Sequence, residues 1–242
     1  GPSDDTLVKM GALQRTLMIQ QNQKWRLMTC PWLHVGVIHL SLDLLSTIFI
    51  GIHLEQDFGS TRTAMIYLFS AFLGSVASAA FVHNIPAVCS SGALFGLLGG
   101  ALSGLIRNWQ IYTFKYRALA ALAFVSITNF GLGLLPHVDN FSSIGGLLSG
   151  FLLGFILLFN PQLLHTERKK GLFVIKNSVK LRQKLDKPTQ RIIALIFFSI
   201  ILSGGLYVVL RGVNASKHCS WCSYINCVPT KMWRCNDKTT HM

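Results

Sequence analysis

Residues 87–105 read AVCSSGALFGLLGGALSGL, and the reading of this stretch decides the fold. Two serines precede a run of apolar and small residues in which Gly92, Gly96, Gly100 and Gly104 recur at every fourth position. On an α-helix that spacing gathers the four glycines on one face. A glycine face lets a neighbouring backbone approach closely, as helices do inside a bilayer. Residues 134–155, LLPHVDNFSSIGGLLSGFLLGF, answer with Gly146, Gly150 and Gly154, also four apart. The two striped helices are expected to pack face to face, with Ser91 and Ser143 together at one end. On periodicity alone the serines are helix N-caps; the alternative is that they belong to a site.

The composition places these helices in a membrane. Of 242 residues, 51% are hydrophobic and 13% charged, and the mean hydropathy is +0.46. A soluble domain carries about 25% charged residues. A span of the hydrocarbon core needs about 20 apolar residues, and six segments approach that length: 38–54, 64–83, 90–106, 118–136, 141–160 and 191–210. Asp43 makes the first the weakest. The fold expected is an all-α polytopic membrane protein with six transmembrane helices in this chain.

The formal net charge of +13 raises the question of nucleic acid. The positions of the charges answer it. Arg107, Lys115 and Arg117 fall between the third and fourth segments. Arg168, Lys169, Lys170, Lys176, Lys180, Arg182, Lys184 and Lys187 fall between the fifth and sixth, and Arg191 opens the sixth. In a six-helix chain both loops lie on one side, which the positive-inside rule makes cytosolic. The loop 55–63, EQDFGSTRT, falls on the same side. Both termini are then luminal or extracellular, and the partner implied is the lipid bilayer, with no nucleic acid. Residues 161–190 form a basic cytosolic loop, and a surface role for 165–191 against anionic headgroups is an unspecific alternative. Residues 1–24 lack the charged-then-apolar pattern of a signal peptide and the chain opens on Gly1, so it is expected to be a fragment, or a sequence lacking its natural start.

The tail HCSWCSYINCVPTKMWRC (218–235) holds Cys219, Cys222, Cys227 and Cys235. On the extracytoplasmic side an even set of cysteines reads as two disulfides, with three pairings open. Zinc is the rival, because C-x-x-C opens a metal knuckle. The C-x7-C second half does not have knuckle spacing, and no metal is expected.

A further polar cluster lies in WRLMTCPWLHVGVIHLSLD (25–43), where His34 and His39 stand at the entrance of the first segment and Asp43 one turn below His39. Ionisable groups at membrane depth are costly and raise a functional hypothesis. Singly, each histidine reads as a hydrogen-bonded structural residue; on the same side as Ser91 the three read as a site.

With these residues in view the chain resembles the rhomboid family of intramembrane serine proteases, and most of all the plant rhomboids of the secretory pathway. The resemblance runs through Trp25-Arg26, WLHVGVIHL, IGIHLEQDFG, SSGALFGLLG, the LPHVDNF and IGG pair, and the Cys-rich tail. It implies a rhomboid-like helical bundle whose family first helix precedes residue 1. It divides the chain into an extracytoplasmic segment and membrane-braced loop (1–37), core helices (38–160), the basic cytosolic loop (161–190), an additional helix (191–210) and the Cys-rich extracytoplasmic tail (211–242).

The resemblance also assigns roles. Active rhomboids use a serine nucleophile in G-x-S-G and a histidine base on the last core helix. A histidine and an asparagine on the second core helix help bind the oxyanion. Here Ser91 matches the nucleophile, Cys89 replaces the first motif glycine, and His39 matches the oxyanion histidine. Asp43 stands for the oxyanion asparagine and Ser143 for the base. A serine hydroxyl is no base near neutral pH, and an ionised carboxylate accepts hydrogen bonds without donating them. Loss of a base costs a serine protease up to about a millionfold in kcat, and loss of one oxyanion donor about 100- to 1000-fold.

The expectation is therefore a pseudoprotease that binds single-pass membrane proteins as clients. The alternative is an active endopeptidase cleaving transmembrane substrates, with His137 as a substitute base; His34 and His83 are weaker candidates. A third reading is a truncated product that does not accumulate. No cofactor is implied. The compartment expected is the secretory pathway, in the Golgi or plasma membrane.

Overall fold

The structure is a computed structural model. It describes residues 2–81, 86–109, 112–133, 138–158, 188–213 and the single positions 215, 219, 222 and 225. Among these residues the chain is a helical bundle with isolated bridges in place of a sheet. Three short helices come first: α1 (Asp4–Met10), α2 (Arg15–Ile19) and α3 (Arg26–Thr29). A 3-10 turn, Cys30–Trp32, follows. The long helices are α4 (Val37–Phe58), α5 (Ser60–Phe81), α6 (Ser91–Arg107), α7 (Lys115–Leu132), α8 (Asn140–Leu157) and α9 (Pro188–Leu210).

These six coincide with the six apolar segments of the sequence. Four of them, α4, α5, α8 and α9, are long and apolar enough to cross a membrane by themselves, and α6 is a shorter apolar helix. The first segment, weakened on paper by Asp43, is among the four. Its carboxylate is turned inward and is buried, so the helix keeps an outward apolar face of Leu44, Leu45, Ile48 and Ile52.

The core is built around α6, whose side chains are buried along almost its whole length. Leu94, Leu97, Leu98 and Leu105 of α6 pack with Ile50, Leu54 and Phe58 of α4, Ile66 and Leu73 of α5, and Leu153 of α8. The glycine stripes meet as expected. A Cβ on Gly146 would collide with the Gly92 carbonyl, and one on Gly150 with the Gly96 carbonyl. Backbone therefore packs on backbone between α6 and α8, and any side chain there would push the helices apart.

The link between α4 and α5 is a single glycine. Gly59 has φ +94°, which glycine adopts without the Cβ penalty other residues suffer, and its N–H donates to the Glu55 carbonyl at 2.8 Å. The residues before α3 are less irregular than their polar composition suggests. Buried Arg26 organises them: its guanidinium donates to the carbonyls of Val8 (2.9 Å) and Ala12 (2.7 Å) and to Gln23 Oε1 (2.8 Å).

Candidate active site

Helices α6 and α8 start side by side because the residues just before them are bridged, Val88 to Val138 in parallel. Ser91 is the first residue of α6 and Ser143 lies in the first turn of α8. Both are buried. The Ser143 hydroxyl donates to the Ser91 oxygen at 2.9 Å.

The serines do not cap their helices. The N-cap of α8 is Asp139, whose carboxylate accepts from the Phe141 N–H at 3.0 Å. Ser90, at the N-cap position of α6, makes no side-chain cap bond. The Ser142 hydroxyl donates across the interface to the Cys89 carbonyl at 3.0 Å. The capping reading open on periodicity is thus corrected: the serine hydroxyls bind one another and the facing backbone, because the glycine-mediated approach brings the two helix starts within hydrogen-bond distance.

Helix α4 runs parallel to α6, with Gly51 level with Leu97 and Phe58 level with Gly104. At 1.5 Å per residue, Asp43 lies about 12 Å above the Gly51 level and Ser91 about 9 Å above the Leu97 level. The two residues therefore sit within a turn of the same depth. His39 and Asp43 are both buried. His34, from the loop before α4, places Nε2 3.2 Å from Asp43 Oδ2, and its ring lies 5.6 Å from that of His39. The Asp43 carboxylate thus has an imidazole partner, while His39 Nδ1 has none among the described residues. His83 and His137 lie outside the described residues. No group of three His, Cys, Asp or Glu among the described residues is arranged to hold a metal ion.

A disulfide joins Cys30 to Cys89, and the Cys89 N–H donates to the Cys30 carbonyl at 3.1 Å. It ties the 3-10 turn to the segment two residues before Ser91. Reading the tail alone missed it, although a cysteine count of six left these two over. Cys219 and Cys222 form a second disulfide, which selects among the pairings left open; Cys227 and Cys235 lie outside the described residues. The tail is held at the site: Asn140 Nδ2, one turn from Ser143, donates to the Ile225 carbonyl at 2.7 Å, and Arg15 donates to the Gly212 carbonyl at 2.5 Å. Both disulfides, Ser91 and Ser143 therefore share one end of the bundle. The other end carries Arg107, which donates to the Phe155 carbonyl at 2.6 Å. That end also holds Asp57, a fully buried carboxylate with no hydrogen-bond partner among the described residues.

Chemically, a nucleophile needs a base within hydrogen-bond reach. Among the described residues, the side chain hydrogen-bonded to Ser91 is a second hydroxyl, that of Ser143.

Comparison with known proteins agrees with this architecture. A family model described as the Rhomboid domain matches residues 21–160. The chain is 47% identical over 244 residues to Inactive RHOMBOID-like protein 8 of Arabidopsis thaliana, covering 99% of this chain and 70% of that protein. It is 44% identical over 249 residues to RHOMBOID-like protein 1 of the same plant, covering all of this chain and 62% of the relative. Inactive rhomboid protein 1 of Danio rerio is 33% identical over 208 residues, 86% of this chain and 22% of the relative.

Proposed function

This chain belongs to the rhomboid family, and on that premise we propose that it is a pseudoprotease: a rhomboid scaffold without the chemistry, which binds single-pass membrane proteins at the place where an active member would cleave them. The observation that carries this reading is the 2.9 Å hydrogen bond between Ser143 and Ser91. The hydroxyl of Ser143 occupies the space a base needs and offers a proton where one must be taken away. Asp43 supports the same conclusion. Its carboxylate, paired with His34, would oppose an oxyanion where the family asparagine donates to one. The name of the Arabidopsis relative, Inactive RHOMBOID-like protein 8, points the same way.

The proposed setting is a secretory-pathway membrane, in the Golgi or at the plasma membrane, with the Ser91 end and both termini of this chain extracytoplasmic. Two disulfides at that end suit an oxidising compartment, and the basic residues 107, 115 and 117 suit a cytosolic face at the other. The proposed division remains 1–37 as outer segment and brace, 38–160 as core, 161–190 as cytosolic loop, 191–210 as an added helix and 211–242 as tail. A cleavage assay on a transmembrane substrate tests the proposal, with Ser91→Ala as the comparison. Ser91-dependent cleavage by the unmodified chain would overturn it, and would direct attention to His137.

A further inference from the structure

The first turn of α7 carries its charges at the unfavourable end. Lys115 and Arg117 lie where the helix macrodipole disfavours cations, no acidic residue stands beside them in that turn, and Phe114 before them makes no side-chain cap bond. No Asp or Glu occurs between Asp57 and Asp139, and among the described residues neither cation has a carboxylate partner. Each stands over an aromatic ring instead. Lys115 Nζ lies 4.9 Å from the Trp109 ring centre and 5.7 Å from that of Tyr116, and the Arg117 guanidinium carbon lies 5.0 Å from that of Phe114. Trp109 meets Tyr116 edge-on, 5.6 Å between ring centres. The patch is open to its surroundings: Phe114 is 46% and Tyr116 71% exposed, and Arg117 is exposed. Arg107 is not part of it, because that side chain is buried and donates to the Phe155 carbonyl. About three turns along α7 from Tyr116, and on the same face, Ile127 is exposed. The basic and aromatic residues therefore stand where an outward apolar face ends.

We propose that this patch binds anionic phospholipid headgroups. The apolar face of a membrane helix ends at the headgroups, where Trp and Tyr rings sit with one side apolar and the other wet. Cations at that level attract anionic lipid, and a headgroup phosphate offsets the unfavourable placement of both charges at the helix start. A ring face draws a cation without cancelling its charge, so both cations remain available to phosphate oxygens. Residues two apart on a helix do not face each other. Lys115 and Arg117 therefore flank the helix start, and the patch suits two singly charged headgroups better than one multiply charged headgroup. The leaflet, cytosolic, rests on the orientation proposed above; the lipid chemistry does not.

The full chain is purified in detergent micelles and its Tm is read with added phosphatidylserine or phosphatidylcholine, since a ligand of the folded state raises Tm. Phosphatidylserine should raise it more, and Lys115→Gln with Arg117→Gln should remove at least half of that difference. Without lipid this double variant should melt no lower than the unmodified chain, because two cations have left the start of α7; lost binding is thereby separated from lost folding. Lys115→Arg with Arg117→Lys keeps both charges and should keep the difference. An undiminished phosphatidylserine effect in the Gln variant would overturn the proposal. So would an acidic peptide whose charge-dependent shift matches that of phosphatidylserine, which would assign the patch to a protein partner. Sealed vesicles with the cytosolic face outward separate the topology. An impermeant maleimide should label Thr113→Cys, at an exposed position, beyond the unmodified chain. Labelling only after permeabilisation would sink the proposed orientation and leave the lipid measurements standing.

Discussion

The hydroxyl of Ser143 donates to that of Ser91 across 2.9 Å, between the first turns of two helices whose backbones touch through glycines. A proton donor faces the serine proposed to stand at the nucleophile position. The bond exists because Gly146 and Gly150 permit the approach, so chemistry and packing share a cause.

The packing is the first thing to test. Gly146→Val places side-chain atoms against the Gly92 backbone, which cannot swing aside as a side chain can. Overpacking of this kind costs about 1–3 kcal/mol or more, and a lowered Tm in detergent is expected. Gly131 in α7 has nothing within 4 Å of its would-be Cβ. Gly131→Ala should be neutral or stabilising by up to about 1 kcal/mol. A tolerated Gly146→Val would remove the account of the α6–α8 contact.

The pairing of His34 with Asp43 makes a second prediction. His34→Ala leaves a buried carboxylate without its partner, at a cost of about 1–3 kcal/mol. Asp43→Asn removes the charge that needed the partner. In the Asp43→Asn background the His34→Ala loss should therefore shrink by about 0.5–3 kcal/mol. Additive thermal shifts would show that the 3.2 Å contact does not couple the residues.

Loss of the Cys30–Cys89 disulfide should be costly, because the bond closes 59 residues of chain. Loop entropy alone sets its contribution at about 4 kcal/mol. Cys30→Ala with Cys89→Ala should lower Tm sharply under non-reducing conditions, and the unmodified chain should show the corresponding linked peptide on mass spectrometry. Two free thiols at these positions would refute the assignment.

Much of this arrangement was legible in the chain before folding. Glycines four apart in two segments predicted the contact between α6 and α8, since no other residue type permits it. The six helices followed from apolar runs, and the pairing of Ser91 with Ser143 from their places at the helix starts. Less legible was the role of the serines as neighbours in place of caps, because capping and cross-helix bonding use the same residues at the same position. The sequence grouped His34, His39 and Asp43, but that His34 is the one bonded to Asp43 was hidden for a different reason. It lies nine residues earlier on a loop, where helical periodicity carries no information. The Cys30–Cys89 bond was readable only by subtraction from the cysteine count, and burial of Asp57 at the end of α4 left no periodic mark.

That buried Asp57 supports a fourth prediction. Neither carboxylate oxygen has a hydrogen-bond partner among the described residues, and an unpartnered buried polar group costs about 1–3 kcal/mol. Asp57→Leu replaces the unpartnered polar group with an apolar side chain of similar size, so a higher Tm is expected. A lower Tm would contradict the account of Asp57 as an uncompensated buried carboxylate.

The most direct test of the central claim is a proteoliposome cleavage assay on a model rhomboid substrate. It compares the unmodified chain, Ser91→Ala, and the double variant Ser143→His with Asp43→Asn. Folding of each protein is checked by Tm. The account predicts background cleavage by the first two and cleavage by the double variant at least ~100-fold above background, the scale of one restored catalytic group. Cleavage by the unmodified chain that disappears in Ser91→Ala would contradict it.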